Sequence, residues 1–113
     1  MMSDEQILLA MTNVPDAATA QSIAHTLVDA KLAACVNILP AVLSVYRWQG
    51  VVEQASEVTL LIKTTQRRYP QLQRAIVAAH PYEVPEVIAW PLSEGHPPYL
   101  HWIVAETRAE PHA

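Results

Sequence analysis

The chain is short of the residues that would crosslink it or cradle a phosphate. Cys35 is its only cysteine, so no internal disulfide can form, and a lone cysteine fits a reducing compartment. Gly50 and Gly95 are the only glycines, which excludes a glycine-rich phosphate loop. HExxH and paired CxxC patterns are also absent, so the common zinc-site spacings are missing.

Positive charge and long apolar runs are scarce as well. The chain carries 7 Lys and Arg against 11 Asp and Glu, and its largest basic cluster is Arg67 with Arg68. The sequence therefore lacks the cluster of basic residues with which proteins contact the phosphates of nucleic acids. Apolar runs fall far short of the roughly 20 residues that cross a bilayer, and residues 1–6 do not resemble a signal peptide. We expect a soluble, cytoplasmic protein with neither nucleic acid nor membrane as a partner.

The composition predicts one folded domain. Hydrophobic residues make up 51% of the 113-residue chain, enough for a core. We expect a single domain over residues 1–113, with an ordered core at about residues 7–106 and frayed chain after Thr107. A core of this size gives marginal stability, and oligomerisation is a common remedy.

The first third of the chain predicts a strand and then a helix. Residues 7–11 are all apolar, which is typical of a central strand buried on both faces, and residues 12–16 break the run. Asp16 suits the N-cap of a helix, because its carboxylate can accept from free backbone N–H groups. Small and apolar residues then recur at helical spacing and predict a helix over residues 16–31.

The middle third predicts a long antiparallel hairpin. Residues 32–40 are apolar apart from Asn37, and residues 41–48 continue with β-branched and aromatic residues that favour a strand. Pro40 cannot donate to a strand ladder, so we expect a bulge or an edge position there. Gly50 suits a turn that needs positive φ, and residues 57–64 predict the returning strand.

The last third predicts a helix, a short strand and a terminal helical turn. The helix opens at Tyr69 and ends at His80, the strand covers residues 86–90, and the helical turn covers residues 99–104. The complete order is that of an α+β, ferredoxin-like split βαβ sandwich. Its antiparallel sheet would carry helices on one face, plus the short C-terminal helix, and association between subunits would cover the other face.

Residues 80–86, His-Pro-Tyr-Glu-Val-Pro-Glu, are the densest group of functional side chains. Two prolines fix the backbone, so a histidine, a phenol and two carboxylates are held on a preset, extended connection. Both a ligand site and a subunit contact fit this segment.

Several separated blocks resemble one family. They are residues 33–40 (AACVNILP), 44–50 (SVYRWQG), 61–64 (LIKT) preceded by Glu57, 80–86 (HPYEVPE) and 99–103 (YLHWI). Together they closely resemble the CutA family of divalent-cation tolerance proteins, over residues 7–103. The resemblance implies a ferredoxin-like trimer, related in shape to PII signalling proteins and linked to tolerance of copper and other divalent metals. It implies no defined enzymatic reaction.

The resemblance also suggests metal ligands. Family metal assignments rest on a cysteine at the end of the first strand and on a histidine, often doubled, before Pro-Tyr. In this chain Met11 holds the first position and Ala79 precedes His80. We expect His80, Met11 and Glu83 as metal candidates. The alternatives are that His80 caps the second helix by binding its last carbonyls and that Met11, like Cys35, is a core residue.

Aromatic and basic residues on the hairpin suggest a second kind of site. Tyr46 and Trp48 share one strand face and Arg47 points to the other. The predicted ligand cleft lies between subunits, suits an anion, and consists of Tyr46, Arg47, Trp48, Lys63, Tyr82 and Trp102. Cross-strand packing and a salt link from Lys63 to a glutamate are the alternative.

Three functions follow from these patterns. The first is a trimeric, non-enzymatic divalent-cation tolerance protein that binds copper or another divalent metal ion. The second is a PII-like sensor of a small anionic metabolite, and the third is a stable trimeric interaction scaffold. We do not expect an enzyme, because no Ser-His-Asp or Cys-His pattern is evident.

Overall fold

The computed structural model describes residues 5–108 as an α+β fold with one four-stranded sheet. The elements are β1 (Ile7–Val14), α1 (Ala17–Asp29), β2 (Cys35–Trp48), β3 (Val51–Thr65), α2 (Tyr69–Ala79), β4 (Ile88–Pro91) and α3 (Pro97–Thr107). The sheet order is β2-β3-β1-β4 and every pairing is antiparallel. This confirms the ferredoxin-like prediction. The predicted fraying after Thr107 concerns residues that, beyond Arg108, lie outside the described range.

The main core lies between the sheet and the first two helices. Strand side chains from alternate positions of β1 and β3 meet the apolar faces of α1 and α2, as the periods of strand and helix require. Its largest fully buried members include Val14, Leu27, Leu60, Ile62, Leu72 and Ile76.

The third helix covers part of the opposite sheet face. Ile103 of α3 packs with Ile7 of β1 and with Ala34 in a second, smaller core. The rest of this face stays open in one chain, where the side chains of Ile88 and Trp90 are exposed. None of the helices within residues 5–108 has the length and apolar character to cross a membrane.

β1 is longer than residues 7–11 because its polar residues fit the sheet. Asn13 Oδ1 accepts a 2.6 Å hydrogen bond from Thr59 Oγ1 on β3. Thr12 is β-branched, which suits a strand, although its buried hydroxyl has no hydrogen-bond partner within the described residues. Asp16 then caps α1 as predicted, accepting from the Thr19 amide at 2.8 Å. That hydrogen bond lowers the pKa of Asp16. α1 ends at Asp29, earlier than predicted, before Lys31 at φ 58°.

β2 and β3 form the predicted long hairpin. The register shifts between Leu39 and Val42, and Ala41 takes φ 60°, so the bulge expected at Pro40 is present. We call residues 42–57, beyond the bulge, the hairpin arm. Its turn has positive φ at both Gln49 (49°) and Gly50 (81°), as in the primed turns whose twist matches that of the strands.

The last two elements differ from prediction in their bounds. β4 includes Pro91, which was expected to stop it, because an edge strand paired only with β1 tolerates a residue without an N–H. α3 spans Pro97–Thr107 rather than residues 99–104, since prolines are tolerated in the first turn.

Candidate functional site

His80 is buried directly after α2, and its side chain links this end of the helix to β1. Its Nδ1 accepts a 3.1 Å hydrogen bond from the Tyr82 amide, so Nε2 carries the proton and donates to the Asn13 carbonyl at 2.7 Å. The neutral imidazole is the form that satisfies both bonds. The alternative in which His80 binds the last carbonyls of α2 is therefore wrong, because its polar contacts reach β1 and the following turn.

The three candidate metal ligands have different surroundings within a chain. The Nδ1 lone pair of His80 is engaged by an amide. Met11 is half-buried in β1 opposite Leu61 and Ile88, while Glu83 is exposed beyond the turn. Between residues 5 and 108 no three side chains of His, Cys, Asp or Glu converge to hold a metal ion. A closed chelating site does not fit this arrangement.

A cavity of about 820 Å³ lies beside this junction, between the hairpin arm and the segment after α2. The arm contributes Ser44, Val45, Tyr46, Trp48, Glu53 and Glu57, and the other wall is Asn13, Pro81, Tyr82, Glu83, Val84 and Glu86. The cavity therefore brings together Tyr46, Trp48 and Tyr82 of the predicted ligand cleft.

Tyr82 and Glu57 join the two walls of the cavity. The Tyr82 hydroxyl donates a 2.7 Å hydrogen bond to Oε2 of Glu57, whose residue is only 7% exposed. Burial, followed by the hydrogen bond and charge of Glu57, raises the pKa of Tyr82 to about 12. The phenol stays protonated at neutral pH and holds the carboxylate in place.

The charge of the cavity wall is entirely negative. Four glutamates line it (Glu53, Glu57, Glu83 and Glu86), and no lysine, arginine or histidine does so in the described part of the chain. This wall does not suit the anionic ligand expected from the sequence, because like charges repel.

Asn13 is a site residue that the sequence analysis missed. Its Nδ2 donates to Glu86 Oε1 at 3.3 Å while its Oδ1 accepts from Thr59. The asparagine thus links β1 and β3 to the segment after α2. A polar residue directly after an apolar strand was the available signal, but it was interpreted as the break that ends the strand.

The other three predicted cleft residues lie elsewhere in the chain. Arg47 donates through Nη1 to the Gly50 carbonyl at the hairpin turn, at 3.2 Å. Lys63 is at the far end of β3, paired across the strands with Leu9 and Cys35 rather than with a glutamate. Trp102 belongs to α3, on the second face of the sheet.

Lys63 and Trp102 form part of a separate cluster. Lys63 Nζ donates to Asn37 Oδ1 at 2.7 Å and lies 3.9 Å from Cys35 Sγ and 5.7 Å from the centroid of the Tyr99 ring. The Tyr99 ring stacks on Trp102 with centroids 5.5 Å apart. Cys35 is half-buried beside an ammonium group, not enclosed among apolar neighbours as its sequence suggested.

These features define the class of the protein. It has a ferredoxin-like sheet, an extended hairpin arm, and a histidine-proline-tyrosine junction that closes a cavity against the arm. The family model described as CutA1 divalent ion tolerance protein matches residues 8–106. The chain belongs to the CutA family of divalent-cation tolerance proteins.

Individual relatives support the same assignment. The chain is 46% identical to a divalent-cation tolerance protein CutA of Thermus thermophilus, over 91% of this chain and 98% of that protein. It is also 46% identical to protein CutA of Mus musculus, over 83% of this chain but only 53% of that protein. The chain thus spans about half the length of the mouse relative.

Solved structures share the fold over nearly their whole length. The CutA crystal structure from Xylella fastidiosa has a TM-score of 0.89 at 42% identity, covering 94% of this chain and 100% of that one. The Thermus thermophilus structure has a TM-score of 0.88 at 44% identity, covering 90% and 99%. One relative, from Arabidopsis thaliana, is named chloroplastic, and one of the similar structures is that of a periplasmic divalent cation tolerance protein CutA from Archaeoglobus fulgidus.

Proposed function

We propose that this chain is a cytoplasmic, homotrimeric and non-enzymatic divalent-cation tolerance protein that binds copper or another divalent metal ion. Family membership supports the tolerance role. The observation that carries the trimer is the exposure of the hairpin arm.

Four aliphatic side chains of the arm face solvent in a single chain. Leu43 is 62%, Val45 63%, Val51 58% and Val52 61% exposed. By the strand register Leu43, Val45 and Val52 lie on one face of the arm and Val51 on the other. A two-stranded ribbon is marginal in water on its own, and exposed apolar surface of this extent is typical of an interface. Another copy of the chain would cover it.

The open sheet edges favour a ring over a two-fold dimer. The sheet ends in β2 on one side and in β4 on the other. Contact between these two different edges would be heterologous, and a heterologous contact generates a closed ring when its rotation closes. Three copies are the number that the family resemblance implies.

Metal binding is proposed at His80, with Met11 and Glu83 as the further candidates. Because Nδ1 already accepts from the Tyr82 amide, an ion would have to displace that hydrogen bond. We therefore propose weak, exchangeable binding rather than a chelated centre.

A copper titration followed by calorimetry tests the metal proposal. The variants are His80→Asn, which keeps an acceptor for the Tyr82 amide, and His101→Asn, which removes an exposed histidine of α3. We expect His80→Asn to lose the wild-type binding and His101→Asn to keep it. Equal binding by all three proteins would contradict His80 as a ligand.

The cavity favours a second candidate function, that of a PII-like small-molecule sensor. Its volume of about 820 Å³ lies within the range of ligand pockets, and polar groups converge on it from both walls. A thermal-shift screen of anionic, neutral and cationic metabolites tests this role. No ligand of any class that raises the melting temperature would count against a sensor.

A further inference from the structure

The hairpin arm has two chemically different faces, so one face of an arm complements the opposite face of another. We propose that Arg47 of one copy enters the cavity of a neighbouring copy and forms an ion pair with Glu53 there. This ion pair rests on the proposed homotrimer, within which it lies, and is independent of metal binding at His80.

The strand register separates the side chains of the arm into two faces. Arg47 is paired across the strands with Val52, and Tyr46 with Glu53. Since successive positions of a strand alternate between faces, Arg47 and Glu53 lie on opposite sides of the arm. The side with Arg47 also holds three of the four exposed aliphatic residues of the arm. Across residues 42–57 this side has one cation and no carboxylate.

The other side of the arm is aromatic and acidic, and it lines the cavity. Five of the six cavity residues that the arm contributes lie on it, namely Ser44, Tyr46, Trp48, Glu53 and Glu57. Arg47 is the only Lys or Arg within residues 42–57, so the arm directs its one cation away from both of its carboxylates. A neighbouring arm, stacked with its basic side on this acidic side, would bring the opposite charges together.

Exposed apolar side chains on both walls of the cavity favour a protein occupant over a small ion. Val45 of the arm is 63% exposed and Val84 of the facing segment is 68% exposed. An ion would leave both side chains in water, whereas an arm of another copy would cover them. The wall also holds four glutamates, and no basic side chain from residues 5–108 lines it, so the covering arm should carry a cation.

Arg47 is the basic residue that is placed to supply this cation. Arg108 forms an ion pair with Glu5, while Lys63 and Arg68 donate to acceptors at the opposite end of β3. The remaining three basic residues lie in or next to α1 and α2. Arg47 is exposed and uses one N–H for the carbonyl at the hairpin turn, which leaves most of its guanidinium N–H groups for another acceptor.

A basic side against an acidic side is a heterologous contact, because the two surfaces differ. The same contact can repeat around a closed ring, and each cavity of a trimer then receives one Arg47. Arg47, which the sequence predicted in a cleft between subunits, would thus reach that cleft from the neighbouring copy.

Sedimentation velocity in a urea series, at one protein concentration, tests the ion pair. Arg47→Glu places a carboxylate in the acidic cavity, so the trimer should dissociate at a lower urea concentration than wild type. Arg47→Glu combined with Glu53→Arg restores opposite charges and should recover at least half of that shift. Arg47→Glu combined with Glu94→Arg has the same net charge but changes an exposed residue outside the cavity, and should recover none of it.

The outcomes separate the ion pair from the trimer itself. Equal dissociation midpoints for the two double variants would overturn the ion pair, as would a wild-type midpoint in Arg47→Glu. If Arg47→Glu is poorly folded, Arg47→Gln removes the cation alone, and a midpoint equal to that of wild type would again contradict the pair. A wild-type protein that sediments as a monomer would refute the homotrimer, whereas an intact trimer that does not respond to Arg47 would refute the ion pair alone.

Discussion

The phenol of Tyr82 and the carboxylate of Glu57 are joined by a 2.7 Å hydrogen bond across 25 residues of sequence. This contact fixes the segment after α2 against β3. His80 secures the start of the same segment through the Asn13 carbonyl. The HPYEVPE block is therefore an anchored wall of the cavity, held at His80 and at Tyr82.

Removing the Tyr82 hydroxyl tests that anchor. Tyr82→Phe leaves the buried Glu57 without its donor, so the free energy of unfolding should fall by about 1–3 kcal/mol. Urea denaturation at one fixed protein concentration measures the change. Tyr99→Phe is the matched control, because the stacked ring is kept, and it should stay within about 0.5 kcal/mol of wild type. Equal effects of the two substitutions would mean that the bond does not stabilise the fold.

Alkaline pH should weaken the fold through the same residue. The pKa of Tyr82 is about 12 in the folded chain against a reference value of 10.0, so the unfolded chain loses this proton first. The stabilising contribution is complete below pH 10 and is lost as pH rises from 10 to 12. Tyr82→Phe should reduce the tyrosinate absorbance gained near pH 12, while the ionisation of Tyr69, whose pKa burial also raises, remains in the variant. If this gain has the same size in Tyr82→Phe, a tyrosine other than Tyr82 is responsible for it.

Acidic pH should weaken α1 through its cap. The pKa of Asp16 lies below its reference value of 3.8, so its contribution is present above that value and is lost as pH falls through the folded-state pKa. Asp16→Ala should lower the urea midpoint at pH 7 and reduce the difference between pH 7 and pH 3. Asp29→Ala, at the other end of α1, should be neutral or slightly stabilising, because negative charge is unfavourable there. A larger loss in Asp29→Ala than in Asp16→Ala would refute the capping role.

The hairpin turn depends on the backbone freedom of Gly50. No atom lies within 4 Å of the place where its Cβ would be, so a substitution acts through the positive φ alone. Gly50→Ala should cost about 1 kcal/mol of unfolding free energy, and Gly50→Asn less, since asparagine tolerates this conformation. The two variants are compared by thermal unfolding. An alanine variant as stable as wild type would show that the turn relaxes to a different geometry.

Local signals in the sequence predicted most of the elements. Asp16 identified the start of α1, Pro40 the bulge, and Gly50 the turn, because each residue has a backbone or hydrogen-bonding property with one common structural use. The bounds of β1 were predicted less well. Asn13 appeared to break the strand, yet its side chain is satisfied by Thr59 on the neighbouring strand.

The candidate site was harder to predict because its contacts are long-range. Tyr46, Trp48 and Tyr82 were assigned to one cleft and line one cavity. Lys63 was assigned to the same cleft, but the register of β3 places it at the opposite end of the hairpin. The negative charge of the cavity also depends on which glutamates the fold gathers, and no spacing rule connects Glu57 with Glu83.

The apolar arm provides a direct way to disturb the proposed trimer. Leu43→Lys with Val52→Lys would place two charges on the exposed arm, outside the cavity wall. Buried in an interface, unpaired charges are strongly unfavourable, so the double variant should dissociate. Val77→Lys, on an exposed position of α2, is the matched control and should leave the assembly intact.

The mass of the wild-type protein in solution, measured by light scattering at micromolar concentration, tests the homotrimer most directly. A mass three times that of the 12.5 kDa chain is expected. A mass of 12.5 kDa would contradict it, because the hairpin arm and both sheet edges would then be stable without a partner copy.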